Sequence, residues 1–234
     1  MKRVLVTRPE PGASATCTRL HALGYDPVLL PLTRIFALQC RRFDMDCDAV
    51  AVTSVNALRC ATEELLKQLS SSPCFVVGAR TAEAARKSGF ANVVEAEGDV
   101  ASLSRLIIDG GGVSRIAYLT GRVRLPTFER NLGNAGIKVF PIDLYDTQGV
   151  ELTEEHIRLL QSGRPIDAAL IYSALAAQAL KKLADRSELA ETFSNTVHCC
   201  LSKRIAERLG GDCSLIVRIA ERPDEDGMFQ LLEN

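Results

Sequence analysis

The chain has 234 residues, of which 47 % are hydrophobic and 24 % are charged, and its formal net charge is −1. This length fits one large domain or two small ones, and the composition is ordinary for a soluble chain. The near-zero net charge argues against a nucleic-acid or membrane-surface protein that binds through a global positive field, but it is compatible with a local cluster of arginine and lysine.

The N-terminal segment has an apolar run of only three residues, Val4–Val6. A signal peptide needs about 7–15 apolar residues and a membrane span about 20, so we expect a cytoplasmic protein. The cysteines form no C-x-x-C pair, and we expect reduced, mostly buried thiols rather than a zinc site. The eight are Cys17, Cys40, Cys47, Cys60, Cys74, Cys199, Cys200 and Cys213.

In chain order, strands alternate with helices. Apolar runs predict strands at 3–7, 27–31, 48–53, 74–77, 93–94, 115–119, 138–145, 168–172, 196–201 and 215–219, with 33–38 also extended. Helices are predicted from Ser14 (as N-cap) to Leu23 and at 57–69, 81–89, 102–108, 126–135, 153–161, 174–183, 202–211 and 224–232. This alternation predicts parallel sheets with helices on both faces.

Three segments recur in the same order, roughly 115–120 residues further along the chain. V-L-V-T-R-P near Val4 matches I-A-Y-L-T-G-R near Ile116, and A-V-T-S-V-N-A-L at 51–58 matches A-L-I-Y-S-A-L-A at 169–176. V-V-G-A-R-T-A-E-A-A-R-K-S-G at 76–89 matches C-C-L-S-K-R-I-A-E-R-L-G at 199–210. An internal repeat predicts two similar domains.

The repeat does not divide the chain into two consecutive halves. The strand-turn-helix units that would complete the first β-α-β segment occur only after residues 139–147. One solution is a domain built from both chain ends, 1–34 plus 149–234, with a second domain, 38–143, inserted into it. The two linker strands, 33–38 and 144–149, then run side by side. Tyr145 lies where the chain leaves one domain for the other, and we expect it to face the space between them.

Several predicted strands end in small hydroxyl residues just before a helix begins. Ligands of parallel α/β sheets bind at the carboxyl ends of strands, where helix N-termini offer free N–H groups to anions. Each hydroxyl alone could simply cap its helix, but together they favour an anion-binding site. The candidates are Thr7 and Arg8, Thr53 and Ser54, Gly78 and Thr81, Gly121 and Arg122, Ser173, and Ser202.

Arginine and lysine follow the same strand ends and would suit a ligand with several carboxylates. They are Arg8, Arg80, Arg122, Arg124, Lys203 and Arg204. No P-loop and no G-x-G-x-x-G occurs, which disfavours nucleotide sites. Ser54 lacks the glycines of a nucleophile elbow, and His198 lies inside a predicted strand, so nucleophilic catalysis is disfavoured. Tyr145 could pack at the domain junction or donate a proton to a departing hydroxyl.

Together these segments resemble the uroporphyrinogen-III synthase family. The resemblance rests on their order and spacing and covers most of the chain, since no single motif is diagnostic. It includes V-L-V-T-R-P, A-V-T-S-V-N-A-L, V-V-G-A-R-T-A-E-A-A-R-K-S-G, Y-L-T-G-R-V-R, G-I-K-V-F-P-I-D-L-Y-D-T and I-Y-S-A-L-A. It implies an α/β fold of two flavodoxin-like parallel-sheet domains joined by a two-stranded linker, with one domain made from both chain ends.

The resemblance also implies a reaction without cofactor or metal: cyclisation of hydroxymethylbilane to uroporphyrinogen III, with loss of water and inversion of ring D. The family's tyrosine matches Tyr145, the candidate for assisting hydroxyl departure. Its T-S turn matches Thr53-Ser54, and its G-x-x-T-A turn matches Gly78 and Thr81. Ile205 stands where the second copy of that turn often has threonine, so only Ser202 is carried over there, and Ser173 alone matches the second T-S turn.

A rival interpretation is a two-lobed cytosolic protein that binds a small polyanion without chemistry. The architecture fits it, although the missing signal peptide and the abundant cysteine argue against a periplasmic solute receptor, and an assay for isomer III would distinguish the two interpretations. No long apolar surface stripe is evident in the sequence, so we expect a monomer that acts on a small molecule and binds neither nucleic acid nor membrane.

Overall fold

A computed structural model describes residues 1–39, 43–210 and 215–233. The chain divides into two compact units: unit 1 comprises Met1–Arg34 and the chain from Gln148 onward, and unit 2 comprises Ile35–Thr147. Cys40, Cys213 and the end of the predicted helix at Gly211 lie outside the described residues.

The strands are β1 (Arg3–Val6), β2 (Asp26–Leu29), β3 (Thr33–Ala37), β4 (Ala49–Val52), β5 (Cys74–Val76), β6 (Val93–Glu95), β7 (Arg115–Gly121), β8 (Lys138–Gly149), β9 (Ala168–Ile171), β10 (Val197–Cys200) and β11 (Ile216–Ile219). The α-helices are α1 (Gly12–Ala22), α2 (Val55–Cys60), α3 (Glu63–Leu69), α4 (Ala79–Lys87), α5 (Val100–Gly110), α6 (Thr127–Asn134), α7 (Glu154–Gln161), α8 (Ala174–Ala184), α9 (Ala190–Phe193), α10 (Lys203–Ala206) and α11 (Glu225–Gln230). Short 3-10 turns at Ser187–Leu189 and Glu207–Leu209 complete the described helical structure.

The sheet of unit 1 has the strand order β11-β10-β9-β1-β2, and its described ladders are all parallel. Every residue of β1 and β9 is buried, as expected for central strands covered on both faces. One core centres on Leu5 and Leu180 and the other on Val4 and Leu20, so helices cover both faces of the sheet.

The sheet of unit 2 has the order β3-β8-β7-β4-β5-β6, and the ladders from β8 to β6 are parallel. Its central strand β4 is fully buried, with Val50 and Val52 facing one core and Ala49 and Ala51 facing the other. The predicted fold class, α/β with parallel sheets and helices on both faces, is confirmed.

The two segments that connect the units lie side by side. The N–H of Leu38 donates to the carbonyl of Leu144 at 2.8 Å, and the N–H of Val150 donates to the carbonyl of Leu32 at 3.0 Å. Because residue numbers rise along one segment as they fall along the other, the two segments are antiparallel.

The two sheets share one strand order when the chain break of unit 1 is ignored. In unit 2 the order β8-β7-β4-β5-β6 is 5-4-1-2-3 in chain order, and the unit 1 order β2-β1-β9-β10-β11 becomes the same when counting starts at β9. The order reverses between β4 and β7 in one unit and between β9 and β1 in the other. Ligands of open α/β sheets bind at such switch points.

Two local predictions were wrong. Ser14 does not cap α1, which begins at Gly12; its hydroxyl donates to Glu10 Oε1 at 2.6 Å instead, because the N-cap position is Pro11, three residues before the predicted cap. The helix predicted at 57–69 is two helices, because Ala61 is extended and Thr62 begins α3 by accepting from the N–H of Leu65 at 3.3 Å.

The predicted strand at 138–145 continues to Gly149 as β8, because its second half pairs with the other connecting segment. Among the described residues, no helix is both long enough and apolar enough to cross a membrane.

Candidate functional site

The carboxyl ends of β4, β5, β7 and β8 bring several predicted site positions to one edge of the unit 2 sheet. Thr53 and Ser54 follow β4, and Gly78 and Thr81 lie at the start of α4, directly after β5. Gly121 ends β7, and Tyr145 pairs with it across a register irregularity in the β7–β8 ladder. Neighbouring parallel strands therefore place these residues together, as the sequence predicted.

Tyr145 is half-buried and packs against the core that contains Leu144 and Val52. Burial raises the pKa of its phenol above the ordinary value, while the neighbouring hydroxyl of Ser54 acts in the opposite direction. A phenol is protonated at neutral pH even at its ordinary pKa, and the raised pKa extends that range upward, so Tyr145 can donate a proton or hydrogen bond there but cannot act as a base.

Gly121 and Arg122 fix the position of Tyr145. A Cβ at position 121 would lie 2.7 Å from Cζ of the Tyr145 ring, so the ring occupies the space that only glycine leaves open. The backbone N–H of Arg122 donates to the carbonyl of Tyr145 at 2.8 Å. The guanidinium of Arg122 is exposed and forms an ion pair with Asp146 at 3.3 Å.

A second tyrosine belongs to this edge of the sheet, and sequence reasoning missed it. Tyr118 lies inside β7, only 3 % exposed, and its hydroxyl is 2.9 Å from Oγ1 of Thr53. Its ring packs against Phe128 with centroids 4.5 Å apart. The predicted strand at 115–119 made this tyrosine look like core, and nothing in the local pattern indicated that its hydroxyl reaches the end of β4.

Ser54 has a local structural role besides its position at the site. It begins α2, and its Oγ accepts a hydrogen bond from the N–H of Asn56 at 3.2 Å. Thr53 takes no part in this cap. The two adjacent hydroxyls therefore have different partners, one in the helix and one in Tyr118.

The α4 start differs from the α2 start, because Gly78 provides no side-chain cap. The N–H groups of Thr81 and Ala82 donate to the carbonyl of Gly78 at 3.0 Å, which leaves the N–H groups of Ala79 and Arg80 without a described hydrogen-bond partner. The side chain of Thr81 itself is buried. A ligand at this turn would therefore meet backbone donors rather than the Thr81 hydroxyl.

A groove of about 320 Å³ runs between α2 and α4, beside these turns. Its lining includes the apolar side chains of Val55, Leu58 and Ala84. Two guanidinium groups line it without an ion pair or hydrogen bond among the described residues, those of Arg59 and Arg80. Lys87 and Glu83 also line the groove and form an exposed ion pair with each other at 2.6 Å. The groove thus combines apolar surface with two available cations.

Unit 1 gathers its predicted residues at the corresponding edge, after the adjacent strands β1, β9 and β10. Ser173 begins α8 and accepts from the N–H of Ala176 at 3.1 Å, as predicted for a cap. Ser202 begins α10 without a described side-chain cap bond, so its half-buried hydroxyl is free to meet a ligand. Thr7 is fully buried, and its Oγ1 donates to the carbonyl of Leu170 at 2.7 Å, within the sheet.

Arg8 is held by neighbours from both ends of the chain. Its guanidinium lies 4.5 Å from the ring centroid of Tyr172 and forms an ion pair with Glu225 at 3.0 Å. Burial favours a raised pKa for Glu225, but hydrogen bonds from Thr16 and Arg19 and the charge of Arg8 bring its pKa below the ordinary value. Glu225 therefore stays ionised, and an anionic ligand at Arg8 must share the guanidinium with it.

Other polar candidates lie away from these edges. His198 is buried within β10, and burial lowers the pKa of its imidazole, in keeping with the structural role expected of it. Burial raises the pKa of the thiols of Cys74 and Cys200 to about 12 and that of Cys199 to about 11, so these three are unreactive. Cys17, Cys47 and Cys60 are partly buried and also free.

Comparisons with known proteins show the family and support the fold. The family model described as uroporphyrinogen-III synthase HemD matches residues 14–230. No curated protein sequence matches the chain at a significant level. A crystal structure of uroporphyrinogen-III synthetase from Helicobacter pylori 26695 is 16 % identical, covers 100 % of this chain and 99 % of its own, and has a TM-score of 0.65.

A mutant uroporphyrinogen III synthase from the extremely thermophilic bacterium Thermus thermophilus is also similar in structure. It is 18 % identical, covers 100 % of this chain and 98 % of its own, and has a TM-score of 0.54. At these sequence identities the two structures support only the fold, and the family assignment rests on the match to the family model.

The contact between Gly121 and the Tyr145 ring yields a direct test. We expect Gly121→Ala to push the ring of Tyr145 toward solvent. Solvent stabilises the charged phenolate, so the pKa of Tyr145 should fall toward its ordinary value. The measurement is a phenol titration by NMR with labelled tyrosine, assigned with Tyr145→Phe.

The control is Gly133→Ala inside α6, where an added Cβ has open space. This change should stabilise the fold by about 0.5–1 kcal/mol and leave the titration alone. An unchanged Tyr145 titration in Gly121→Ala would show that the ring is not confined by residue 121.

Proposed function

The chain belongs to the uroporphyrinogen-III synthase family of cyclising hydro-lyases in haem biosynthesis, and we propose that Tyr145 and the hydroxyl and amide groups at the two sheet edges perform its reaction. The observation that carries the proposal is the Tyr145 ring held against Gly121 at the carboxyl end of β7, next to the switch point of unit 2 and beside Ser54, where burial raises the pKa of the phenol. The substrate of this family is hydroxymethylbilane, an open tetrapyrrole with eight carboxylates.

The reaction requires no strong acid or base from the enzyme, because the pyrroles of the substrate supply most of the electronic push. The pyrrole nitrogen pushes electrons toward the terminal hydroxymethyl group, whose C–O bond breaks, and the hydroxyl leaves with a proton as water. The substituted carbon of ring D attacks the resulting azafulvene to form a spiro intermediate, which fragments and recloses with ring D inverted. A pyrrole proton is lost at closure, so the net change is the loss of one water.

Tyr145 is suited to the first step. Its phenol is neutral below its raised pKa and can donate to the departing hydroxyl without itself carrying charge. The ring is confined by Gly121 and its backbone is held by Arg122, which fixes where that donor lies. Holding reacting groups in place can contribute about 7–11 kcal/mol, which removes the need for a strong acid.

The carboxylates of the substrate have two kinds of donor available. Backbone N–H groups at the starts of helices provide partial positive charge, foremost the uncapped start of α4 after Gly78. Side chains provide the rest, and in unit 2 these are Arg59 and Arg80 in the groove and Arg122 beside Tyr145. We propose that Thr7 and Thr81, whose hydroxyls are buried, contribute their backbone turns.

In unit 1 the corresponding contacts are proposed for Arg8, Ser173 and Ser202. Ser202 has the more available hydroxyl, because Ser173 is engaged by the N–H of Ala176. Arg8 stays oriented by Glu225 and by the ring of Tyr172. Fixing a guanidinium in advance reduces the ordering that a ligand must impose on it.

The decisive experiment is product analysis. The purified chain is incubated with freshly generated hydroxymethylbilane, the products are oxidised, and isomers I and III are separated. We expect isomer III well above the spontaneous background. Isomer I alone, formed at the uncatalysed rate, would contradict the enzyme and favour a binding protein for a polyanion.

In the same assay, Tyr145→Phe should lower kcat roughly tenfold or more with an unchanged fold. This loss is smaller than the ~10²–10⁴ often seen for general acids, because the pyrrole supplies most of the push. The activity that depends on the phenol should be present at neutral pH and lost only as pH rises through the raised pKa. Tyr25→Phe in unit 1 is the matched control, and equal rates for the two variants would reduce Tyr145 to a packing residue.

The groove cations predict a change in binding rather than in chemistry. Arg59→Ala and Arg80→Ala should each raise KM by a few-fold to roughly tenfold with little change in kcat, because each removes one charged donor for a carboxylate. The KM difference from wild type should shrink as salt is added. Arg86→Ala, on α4 but outside the groove lining, is the control, and an equal KM increase there would indicate only a general charge effect.

We also propose that the protein is a cytoplasmic monomer. The exposed large apolar side chains are mostly scattered singly, as on ordinary monomers. The exception is the edge strand β11, where Ile216, Val217 and Ile219 are each 38–49 % exposed but are interrupted by Arg218. Sedimentation at assay concentration should give the monomer mass; a dimer dissociated by Val217→Lys would place an interface on β11 instead.

A further inference from the structure

Two tyrosines contact the two adjacent hydroxyl residues at the end of β4. Tyr145 neighbours Ser54, and Tyr118 is bonded to Thr53 at 2.9 Å. The charge of an ionised Tyr118 would further raise the pKa of Tyr145, so the two phenols are within electrostatic range of each other. Tyr118 has no role in the function proposed above, yet its hydroxyl is hydrogen-bonded to Thr53, which has one.

Either hydroxyl can donate in the Thr53–Tyr118 hydrogen bond, and burial favours Tyr118 as the donor. Tyr118 is only 3 % exposed, and its bond to Thr53 is the one hydrogen bond of its hydroxyl among the described residues. If Thr53 were the donor, the phenol hydrogen would be buried without an acceptor, which is costly. We therefore take Tyr118 as the donor, which leaves the half-buried Thr53 its own hydrogen for another acceptor.

The ring of Tyr118 is held so that its hydroxyl has little freedom to turn away. Phe128 packs on it at a centroid distance of 4.5 Å, and the guanidinium of Arg124 lies 6.0 Å from its centroid. Arg124 is in turn fixed by Glu129 and Asp143, each at 2.7 Å. The phenol is thus a rigid donor aimed at Thr53.

Thr53 has no competing local duty. The cap of α2 is provided by Ser54, and the bond to Tyr118 is the one hydrogen bond that the Thr53 side chain makes among the described residues. A threonine hydroxyl that accepts from a phenol becomes a better donor itself, because hydrogen bonds in a chain polarise one another.

We propose that Tyr118 is a positioning residue, which donates to Oγ1 of Thr53 and so directs the threonine hydrogen to a carboxylate of the substrate. This inference rests on the proposed function, because it needs the substrate to bind at the end of β4. It predicts that Tyr118 acts on binding, and only through Thr53.

The test is a double-mutant cycle of Tyr118→Phe and Thr53→Val in the isomer assay with hydroxymethylbilane. Tyr118→Phe keeps the ring on Phe128 and removes only the hydroxyl, so KM should rise several-fold while kcat changes less than two-fold. Thr53→Val should raise KM at least as much. The double variant should match Thr53→Val alone, because Tyr118 has nothing left to orient.

Thr53→Ser separates positioning from packing. It keeps an acceptor for Tyr118 and a donor for the substrate, so KM should stay within about two-fold of wild type, and adding Tyr118→Phe should raise it again. Tyr25→Phe controls for the loss of a phenol elsewhere.

The proposal is overturned if the KM effects of Tyr118→Phe and Thr53→Val multiply, or if Tyr118→Phe lowers the unfolding temperature and leaves KM unchanged. Wild-type enzyme distinguishes this failure from the broader one. If it yields isomer III while Tyr118→Phe matches it in KM, only the role of Tyr118 is wrong. If it yields isomer I alone, the proposed function fails and the role of Tyr118 fails with it.

Discussion

The hydrogen bonding of β8 is the constraint on which the rest of this structure depends. Its first half extends the unit 2 sheet by pairing with β7, and its second half belongs to the segment that runs antiparallel to 32–38. The β7–β8 ladder shifts register between Thr120 and Gly121, where Thr120 pairs with Asp143 and Gly121 pairs with Tyr145. Tyr145 lies at that shift, so the same irregularity that ends the parallel ladder turns a phenol toward the end of β4.

Close packing converts this backbone feature into a chemical one. The ring of Tyr145 fits only because residue 121 has no Cβ, and the neighbouring core desolvates the phenol and raises its pKa above the ordinary value. The cations near it are not equivalent. Arg124 is satisfied by two carboxylates, whereas Arg59 and Arg80 have no described partner and stay available to an anionic ligand. The presence or absence of a carboxylate partner therefore distinguishes arginines that stabilise the fold from those suited to binding an anion.

Much of the fold was predictable, because strands such as V-A-V at 50–52 are buried on both faces and show it as unbroken apolar runs. The repeat placed the hydroxyl turns at strand ends, and the structure brings them to common edges. Local competition was harder to foresee. The pattern at Ser14 is typical of an N-cap, but the N-cap of α1 is Pro11. The chain breaks at Ala61 because Thr62 caps a new helix, and the apolar periodicity continues across this break. Tyr118 could not be identified as a site residue from the sequence. A strand pattern shows which residues are buried, but it does not show that the Tyr118 hydroxyl is hydrogen-bonded to Thr53 at the end of the neighbouring strand.

The construction of unit 1 from two distant chain segments has a consequence for how the protein is made. Residues 1–34 supply β1 and β2, but their neighbour β9 begins only at Ala168, after all of unit 2. At ribosomal rates of about 5–20 residues per second, the first segment waits roughly 7–27 seconds for its partner strands. Unit 2 is continuous and can complete its sheet during that interval. The nascent chain therefore carries one continuous domain and one β-α-β fragment whose central strand still lacks a neighbour on one edge.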